Sequence, residues 1–422
     1  KKMKRPGTIP VQGLLENRVQ FLLLVTVNAF VGGMVGLERA VLPAFGGSAF
    51  GLESGKAIMS FILAFGISKA ISNYLMARLM RRFTRKQVLV IGWLFALPVP
   101  FLLLYARDWN WVVAANLLLG INQGLAWSAT VIMKVDLVGP RHRGLAMGIN
   151  EFAGYLSVGL ASFLASAIAA RYGYVWYPFL PGLFFLAAGL LLSLLLVRDT
   201  TALVQEESAG STLLVLPRPW TAVSWKHRNI GTVTINGVIN NMNDAVVWGL
   251  VPVFLLRKGF TVAETGLIAA LYPVVWGLLQ LVTGAMGDRY CKKQLITAGM
   301  WTQSIGIALL ALGTSMPLLV IGSVLLGAGT ALVYPNFLTV VAEGLHPSQR
   351  AEGLGIFRFW RDSGYVVGAV VAGVLADRIG LEAAILFMAL LTAGAGALAH
   401  VRMCCTLRKF YPSEDCSRSV TQ

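Results

Sequence analysis

Apolar residues dominate this chain in long runs that are separated by short, polar and mostly basic loops. Twelve runs are long enough to cross ~30 Å of hydrocarbon at about 1.5 Å per residue. Because open β-structure cannot span lipid and the runs show no strand-like alternation, we predict twelve transmembrane helices. Their approximate limits are 18–42, 54–76, 87–106, 110–135, 144–170, 176–197, 229–256, 262–284, 294–313, 316–342, 351–376 and 381–403.

The longest polar stretch, which contains QEESAGST and PRPW, lies between the sixth and the seventh run. It predicts two six-helix bundles that a cytoplasmic linker joins, so that the bundles can move relative to each other. The predicted divisions are an N-terminal bundle over 1–197, a linker over 198–228, a C-terminal bundle over 229–405 and a cytoplasmic tail over 406–422.

Short motifs recur at a constant offset of ~207 residues, as in an internal duplication. Residues 77–86 read ARLMRRFTRK, and residues 284–293 read GAMGDRYCKK. The triplet Leu-Leu-Gly recurs at 118–120 and 325–327 at the same offset. The sequence therefore predicts an all-α membrane protein with twelve transmembrane helices in two pseudo-symmetric six-helix bundles.

Composition and charge agree with a multi-pass membrane protein. Of the 422 residues 56% are hydrophobic and 13% are charged, and the mean hydropathy is +0.70, whereas soluble domains carry about 25% charged residues. The net charge of +16 comes mostly from Lys and Arg in alternate loops, as expected for cytoplasmic loops that contact anionic lipids. We therefore expect membrane lipids but no nucleic acid as partners, both termini in the cytoplasm, a plasma-membrane or inner-membrane location and a monomer.

Catalytic, cofactor and metal chemistry is not indicated. The cysteines Cys291, Cys404, Cys405 and Cys416 lack CxxC spacing, so we predict neither a disulfide framework nor a zinc site. No His, Cys and carboxylate residues have metal-ligand spacing. A Walker A motif, which would indicate ATP as the energy source, is also missing. We expect a protein that is not an enzyme and that binds no cofactor.

The repeated loop motif resembles the signature G-x-x-x-D-R-x-G-R-K/R of the major facilitator superfamily, and this resemblance covers nearly all of the chain. The second copy fits at Gly284, Asp288, Arg289, Lys292 and Lys293, with Cys291 in place of a glycine. In the first copy Ala77 and Arg81 replace the glycine and the aspartate, whereas Arg82, Arg85 and Lys86 remain.

In that family the acidic residue pairs with neighbouring helix ends and latches one conformation, so Arg81 predicts a degenerate first latch. The resemblance, together with acidic residues near the ends of the fourth and tenth runs, implies these latch residues: Arg82, Arg85, Lys86, Asp136, Gly284, Asp288, Arg289 and Glu343.

Further segments, among them GLERAVLP, NEFAGY and RFWRDSGY, resemble an uncharacterised prokaryotic-type branch of permeases. That resemblance implies transport but no particular substrate. Drug–proton antiporters carry an arginine in helix 4, where this chain has Gly120, and a glycine–proline motif in helix 5 that NEFAGYLSVG lacks. Both differences argue against multidrug efflux.

Charged residues inside the runs each cost ~2.5–3.5 kcal/mol at mid-bilayer and therefore indicate function or pairing. Four are cationic and four are acidic: Arg39, Lys69, Arg358, Arg361, Glu38, Glu151, Asp244 and Asp362. The carboxylates Glu38, Glu151, Asp244 and Asp362 are candidate proton carriers. A Lys69–Asp362 pair that bridges the bundles and a cationic site of Lys69, Arg358 and Arg361 are both open alternatives.

A polar stripe in the seventh run places Asn236, Asn240, Asn243 and Asp244 on one helical face at i, i+4, i+7 and i+8 spacing. Such a stripe fits either a solute-lined surface or interhelical packing.

These patterns predict a secondary active transporter that moves a small polar or anionic solute, or an ion, by alternating access, with protons as the coupling ion. Efflux of drugs, of a metal or of a metal chelate remains an alternative, as does a transporter-like sensor or scaffold without transport. The expected substrate-binding residues are Arg39, Lys69, Asn122, Gln123, Trp127, Asn240, Asp244, Arg358 and Arg361.

Overall fold

The computed structural model describes residues 12–39, 41–51, 55–173, 176–260 and 262–405. The predicted tail 406–422, which includes Cys416, lies outside these ranges. Helices make up most of the described chain: α1 Arg18–Arg39, α2 Leu42–Phe50, α3 Gly55–Arg82, α4 Arg85–Ala96, α5 Val99–Leu104, α6 Trp109–Asn122, α7 Ser128–Val138, α8 Arg143–Tyr172, α9 Pro181–Leu195, α10 Thr201–Ala209, α11 Pro219–Thr221, α12 Arg228–Arg257, α13 Val262–Arg289, α14 Lys292–Leu312, α15 Met316–Glu343, α16 Arg350–Ile379 and α17 Leu381–Arg402.

The predicted all-α class is confirmed, since no strand occurs in the described ranges. Eleven helical segments of the described chain are long and apolar enough to cross a membrane. The twelfth, α16, has 30 residues, enough for ~45 Å at about 1.5 Å per residue. Its central charges Arg358, Arg361 and Asp362 lower its apolar character, as expected for a helix whose polar face is covered by protein.

Several predicted boundaries shift in the structure. The first span ends at Arg39, and the short helix α2 follows it. Pro98 separates α4 from α5, because proline has no N–H to continue the helical ladder. A π-helical turn over Gln123–Trp127 joins α6 to α7 within one span. The polar linker contains α10 and α11, which no apolar periodicity had revealed.

The internal repeat is visible in the helix ends. α3 ends at Arg82 and α13 at Arg289, whereas α8 begins at Arg143 and α16 at Arg350; both offsets are the predicted ~207 residues. We refer to α1–α9 as the first half and to α12–α17 as the second half. The linker end is the end of the helices where residues 83–84, 139–142, 196–227, 290–291 and 344–349 connect them.

The two halves meet closely where α8 crosses α13 near the linker end. A Cβ atom on Gly144 would lie 2.3 Å from the backbone oxygen of Gly284, and one on Gly284 would lie 2.9 Å from the Cα of Gly148. Only glycine permits this approach, which is typical of membrane helices that pack through small residues.

Candidate functional site

Charged side chains from both halves meet in one buried cluster between α3, α8, α12 and α16. We call these six residues the charged cluster: Lys69, Glu151, Asp244, Arg358, Arg361 and Asp362. Lys69 keeps 21% of its side chain exposed, and the other five keep at most 7%. Three cations therefore face three carboxylates away from solvent, an arrangement that is stable only when the ions are paired.

Asp362 on α16 joins the halves. Its carboxylate lies 3.5 Å from the Lys69 ammonium on α3 and 3.2 Å from the Arg361 guanidinium. It also accepts a 2.7 Å hydrogen bond from the Asn73 amide on α3. The predicted Lys69–Asp362 pair is thus present, and it crosses between the halves.

Glu151 on α8 lies opposite Arg358, at a distance of 3.6 Å. The same carboxylate accepts hydrogen bonds from the Trp127 indole at 3.2 Å and from the Asn150 amide at 2.7 Å. Arg358 donates to the Ser128 hydroxyl at 2.7 Å. Glu151 and Arg358 therefore form a second ion pair between the halves, with Trp127 beside it as predicted.

Asp244 on α12 lies 4.0 Å from the Arg361 guanidinium and accepts a hydrogen bond from the Tyr272 hydroxyl on α13. Arg361 in turn lies 4.1 Å above the centre of the Tyr334 ring on α15. Arg361 thus contacts two carboxylates and one aromatic face, an environment that suits a weakly hydrated, delocalised cation.

Aromatic rings line the charged cluster on the side of α8, α13 and α15. The Trp276 ring centre lies 4.3 Å from that of Tyr155, 5.8 Å from that of Tyr272 and 6.1 Å from that of Tyr334. Trp127 contacts Tyr155 at 5.7 Å. The rings surround the ions with apolar surface, and two of them, Trp127 and Tyr272, also donate hydrogen bonds to cluster carboxylates.

Several buried polar atoms near the cluster have no hydrogen-bond partner among the described residues. They are Glu151 Oε2, Arg358 Nε and Nη2, Arg361 Nε, Trp276 Nε1 and both amide atoms of Gln280. Because an unsatisfied buried polar atom costs about 1–3 kcal/mol, such a concentration is unusual outside functional sites.

Other predicted site residues lie away from the charged cluster. Asn122 donates to the backbone oxygen of Gly92 and so packs α6 against α4. Gln123 is buried in the π-helical turn. Glu38 borders a small pocket inside the first half, beside Met34 and Val99. The side chain of Arg39 lies outside the described part of the structure, so its role in substrate binding stays a prediction.

The predicted polar stripe on α12 is divided between two surfaces. Asp244 faces α13 and α16, whereas Asn243 hydrogen-bonds to Gln303 on α14 and Thr392 on α17. Asn240 accepts a hydrogen bond from Gln303 at 3.4 Å. The residues keep the predicted helical spacing within α12, but Asn240 and Asn243 contact other helices than Asp244 does, so the stripe does not line a single surface.

Two of the predicted latch residues, Asp288 and Asp136, join the halves at the linker end. Asp288, in the last turn of α13, accepts the backbone N–H groups of Gly144 at 2.7 Å and of Leu145 at 2.9 Å. Asp136 pairs with Arg85 at 2.9 Å within the first half and with Arg350 of the second half at 3.4 Å.

Among the other predicted latch residues that the structure describes, Glu343 and Lys86 have contacts within their own half, whereas Gly284 packs against the opposite half. Lys292 pairs with Glu343 at 3.1 Å. Lys86 donates through its ammonium to the backbone oxygen of Leu194. Arg82 and Arg289 are exposed at the ends of α3 and α13.

The linker itself contributes a latch residue that the sequence did not indicate. Glu207 on α10 accepts from Arg143 at 2.5 Å and from Arg350 at 2.6 Å, and these arginines are the equivalent first residues of α8 and α16. Burial alone raises the pKa of Glu207, but the hydrogen bond and charge of Arg350, together with the charge of Arg143, outweigh it and lower the pKa to about 2.

At the first copy of the loop signature an ion pair joins the halves, with a cation at the position of the family's aspartate. Arg81, which stands where the family has an aspartate, pairs with Glu352 in the first turn of α16 at 2.5 Å. The expectation that the substitution weakens this latch missed Glu352, because the partner lies about 270 residues further along the chain and only the fold brings it close.

The sequence predicted no disulfide framework, but it gave no sign of the disulfide found among the described residues. Cys291, before α14, is bonded to Cys405, after α17, across Cα atoms 5.6 Å apart. The ends of two packed helices bring these residues together, which CxxC spacing could not reveal. Within the described residues no group of His, Cys, Asp and Glu side chains could hold a metal ion.

Sequence reasoning also missed Asn73 and Ser128, which connect the two ends of the charged cluster. The Ser128 hydroxyl donates to the Asn73 carbonyl oxygen at 2.7 Å. Both residues are buried. Small polar residues inside a span carry little energetic cost, so nothing in their pattern distinguished them from packing residues.

Comparison with known proteins agrees with this architecture. A sequence model of the Major Facilitator Superfamily matches residues 21–230 and 233–405. An uncharacterised MFS-type transporter of Methanocaldococcus jannaschii is 23% identical over 274 residues, which is 64% of this chain and 69% of that protein.

Two transporters of known structure share the fold. The human organic anion transporter MFSD10 (TETRAN) gives a TM-score of 0.71 at 18% identity, over 90% of this chain and 99% of that one. The Escherichia coli fucose:proton symporter FucP gives a TM-score of 0.72 at 13% identity, over 92% of this chain and 99% of that one. A further FucP structure, in the outward conformation, also gives 0.72, at 16% identity over 91% of this chain and 98% of that one.

Proposed function

This chain belongs to the major facilitator superfamily of transporters, and we propose that it moves a small polar or anionic solute together with protons by alternating access. It is an integral, multi-pass membrane protein and not an enzyme. The observation that carries the proposal is the charged cluster, which both halves build and whose members retain unpaired polar atoms.

The solute class follows from the donors available at the cluster. Arg358 and Arg361 each keep buried N–H groups without partners among the described residues, and guanidinium groups bind carboxylates and similar oxyanions well. The two guanidinium groups therefore favour an anionic solute.

Proton coupling follows from the carboxylates. Glu151, Asp244 and Asp362 each lie within 4.0 Å of a cation, so neutralising one of them frees a positive group. Such exchange of ion partners links proton binding to anion binding, because each event changes the free energy of the other. Of the four predicted carriers, Glu38 lies apart from the cluster and is the weakest candidate.

The closed linker end supports an assignment of the conformation. Basic loops mark the cytoplasmic side of a membrane protein, and this chain's basic loops lie at the linker end. The contacts of Asp288, Asp136 and Glu207 that join the halves lie at the same end. We therefore assign both termini to the cytoplasm and the described conformation to a state that is closed on the cytoplasmic side, as a monomer surrounded by lipid.

Reconstituted vesicles provide the test. Wild-type protein in vesicles loaded with a pH dye should change the internal pH when one member of a panel of organic acids, sugars and amphipathic cations is added outside. Asp244→Asn should reduce that change at least about tenfold, because breaking a buried ion pair costs several kcal/mol and 1.4 kcal/mol corresponds to a factor of ten. Asp377→Asn, at an exposed carboxylate in the last turn of α16, should leave it unchanged.

Two outcomes would replace the proposal. If no member of the panel changes the internal pH of wild-type vesicles, and Asp244→Asn folds and behaves in the same way, a sensor or scaffold without transport becomes the better conclusion. If only amphipathic cations give a signal, the aromatic rings around Trp276 mark a drug-efflux site instead, since aromatic faces bind cations.

A further inference from the structure

A hydrogen-bonded loop passes through both halves at the charged cluster. It runs from the Arg358 guanidinium on α16 to the Ser128 hydroxyl on α7, then to the Asn73 side chain on α3, and returns to the Asp362 carboxylate on α16. Each of the three hydrogen bonds is 2.7 Å long. We call Asn73 and Ser128 the relay.

The direction of the relay is fixed by its ends. Arginine can only donate, and an ionised carboxylate can only accept. Ser128 must therefore accept from Arg358 and donate to Asn73, and Asn73 must direct its NH₂ group at Asp362. Hydrogen bonds in such a chain strengthen one another, so the loss of one weakens the next.

We propose that Asn73 and Ser128 are positioning residues that couple the protonation of Asp362 to the release of Arg358, which rests on the proton-coupled transport proposed above. A proton on Asp362 removes its negative charge and turns one carboxylate oxygen into a donor. The hydrogen bond from Asn73 then loses its charge assistance, the hydrogen bonds to Ser128 and Arg358 weaken in turn, and Arg358 is held less firmly and can turn to the anionic solute. The proton would thus bind before the solute.

Other charged groups act on both ends of the relay. Asp362 faces Lys69 from α3 and Arg361 on its own helix, while Asp244 from α12 and Tyr334 from α15 lie within electrostatic reach. Arg358 faces Glu151 from α8 and lies within electrostatic reach of Lys134 from α7. The relay is the uncharged connection between these two groups of ions, so cutting it leaves every charge in place.

Because the relay carries no charge, its removal can be tested by proton leak, which residues with only a structural role would not change. Asn73→Ala and Ser128→Ala in pyranine-loaded vesicles should accelerate the decay of an imposed pH gradient, without any solute, by about threefold, the equivalent of one interhelical hydrogen bond. With the relay cut, protonation of Asp362 no longer has to weaken the hydrogen bonds that hold Arg358, so protons bind and cross more easily without solute. Ser128→Thr, which keeps the hydroxyl, should decay as wild type does.

Ser193→Ala is the matched control. Its hydroxyl is fully buried but donates only to Gly189 on the same helix, so its loss should not change the decay. Equal decay in wild type, Asn73→Ala and Ser128→Ala would overturn the proposal.

A thermal double-mutant cycle checks the coupling independently. Ser128→Ala should lower the unfolding midpoint of the wild-type protein in detergent. In the Asp362→Asn background the same substitution should lower the midpoint less than half as much, because Asn73 joins the two residues. Equal losses in both backgrounds would contradict the relay. Failure of the proposed function would look different, because no solute in the panel would then move protons into wild-type vesicles, whatever the cycle shows.

Discussion

A single carboxylate, Asp288, holds the ends of two helices from different halves together. It belongs to the last turn of α13 and accepts two N–H groups in the first turn of α8, those of Gly144 and Leu145. Those amides have no partner within their own helix, and the helix dipole adds a favourable ~0.3–1 kcal/mol for a negative charge at this point. Asp288 is thus a cap for α8 supplied by the opposite half.

Replacing Asp288 by Asn should make the linker end open more easily. Asparagine offers one acceptor for two N–H groups and no charge, so we expect about a two- to fivefold gain in hydrogen exchange over residues 144–148, in line with the dipole contribution. Transport in vesicles should slow, while expression remains unchanged.

Asp288→Glu, which keeps the charge, should retain more of the wild-type exchange than Asp288→Asn. If both variants exchange at the wild-type rate and transport normally, Asp288 is not a latch.

The residue scale is also where sequence reasoning worked best and failed most clearly. Lys69, Glu151, Arg358 and Asp362 were found because a charge inside a span is costly and therefore visible. The helical spacing placed Asn243 correctly around the axis of α12, but spacing alone cannot tell which neighbouring helix lies on each side. Hydrogen-bond partners depend on tertiary neighbours, which one sequence does not encode locally.

At the scale of elements, the short linker helix α10 contacts both halves, although its sequence shows no clear apolar periodicity. It places Glu207 between Arg143 and Arg350, the equivalent starts of α8 and α16, and Gln12 also donates to Glu207. Since the repeat relates the two arginines, one carboxylate restrains both halves at once.

Glu207→Gln should release this restraint. Charge-assisted hydrogen bonds contribute about 1.5–3 kcal/mol each, so the loss should raise hydrogen exchange over residues 347–352 by at least about tenfold. Glu206→Gln on the same helix, where the side chain is exposed, should have no effect. Identical exchange in the two variants would show that the linker carboxylate is not a restraint.

The pH dependence of this contact has a defined sign. The pKa of Glu207 is about 2 in the folded protein, below its usual value near 4.3. Its stabilising contribution is therefore complete above about pH 4.3 and is lost as the pH falls toward 2. Wild-type exchange over residues 347–352 should thus stay constant between pH 5 and 8 once corrected for intrinsic rates, and a transition in that window would assign the contact to another group.

Helices with long apolar stretches could be predicted from the sequence, whereas short helices could not. The twelve spans follow from hydrocarbon thickness alone, whereas α2 and α10, with nine residues each, are too short for a periodicity to emerge. The break at Pro98 was readable in principle, because proline interrupts a helical ladder. The π-helical turn at Gln123–Trp127 has no comparable signal.

At the scale of the whole molecule, the duplication predicts where the two halves differ as well as where they agree. Position 81 and position 288 are equivalent, yet one is arginine and the other aspartate. Arg81 pairs with Glu352 at the start of α16, whereas Asp288 pairs with backbone amides at the start of α8. The two sides of the interface are therefore closed by contacts of opposite polarity at equivalent positions.

Exchanging the charges of the Arg81–Glu352 pair tests whether this pair holds the linker end closed or is only a surface contact. Arg81→Glu places two carboxylates together and should favour the state that is open at the linker end, while Arg81→Glu with Glu352→Arg should restore the wild-type balance. Because the Arg81 side chain is 65% exposed, each step should change the balance by less than about tenfold and should weaken at high salt. The rate of trypsin cleavage within the linker, compared at low and high salt, measures the balance between the open and the closed state.

Arg78→Glu provides the comparison, since Arg78 lies on the same helix but donates only to Tyr74 of its own half. If Arg78→Glu opens the linker end as much as Arg81→Glu does, the effect comes from net charge and not from the pair. If the double exchange fails to restore closure while Asp288→Asn still opens the molecule, then the two halves are latched on one side only, and the duplicated signature has kept its function in the second copy alone.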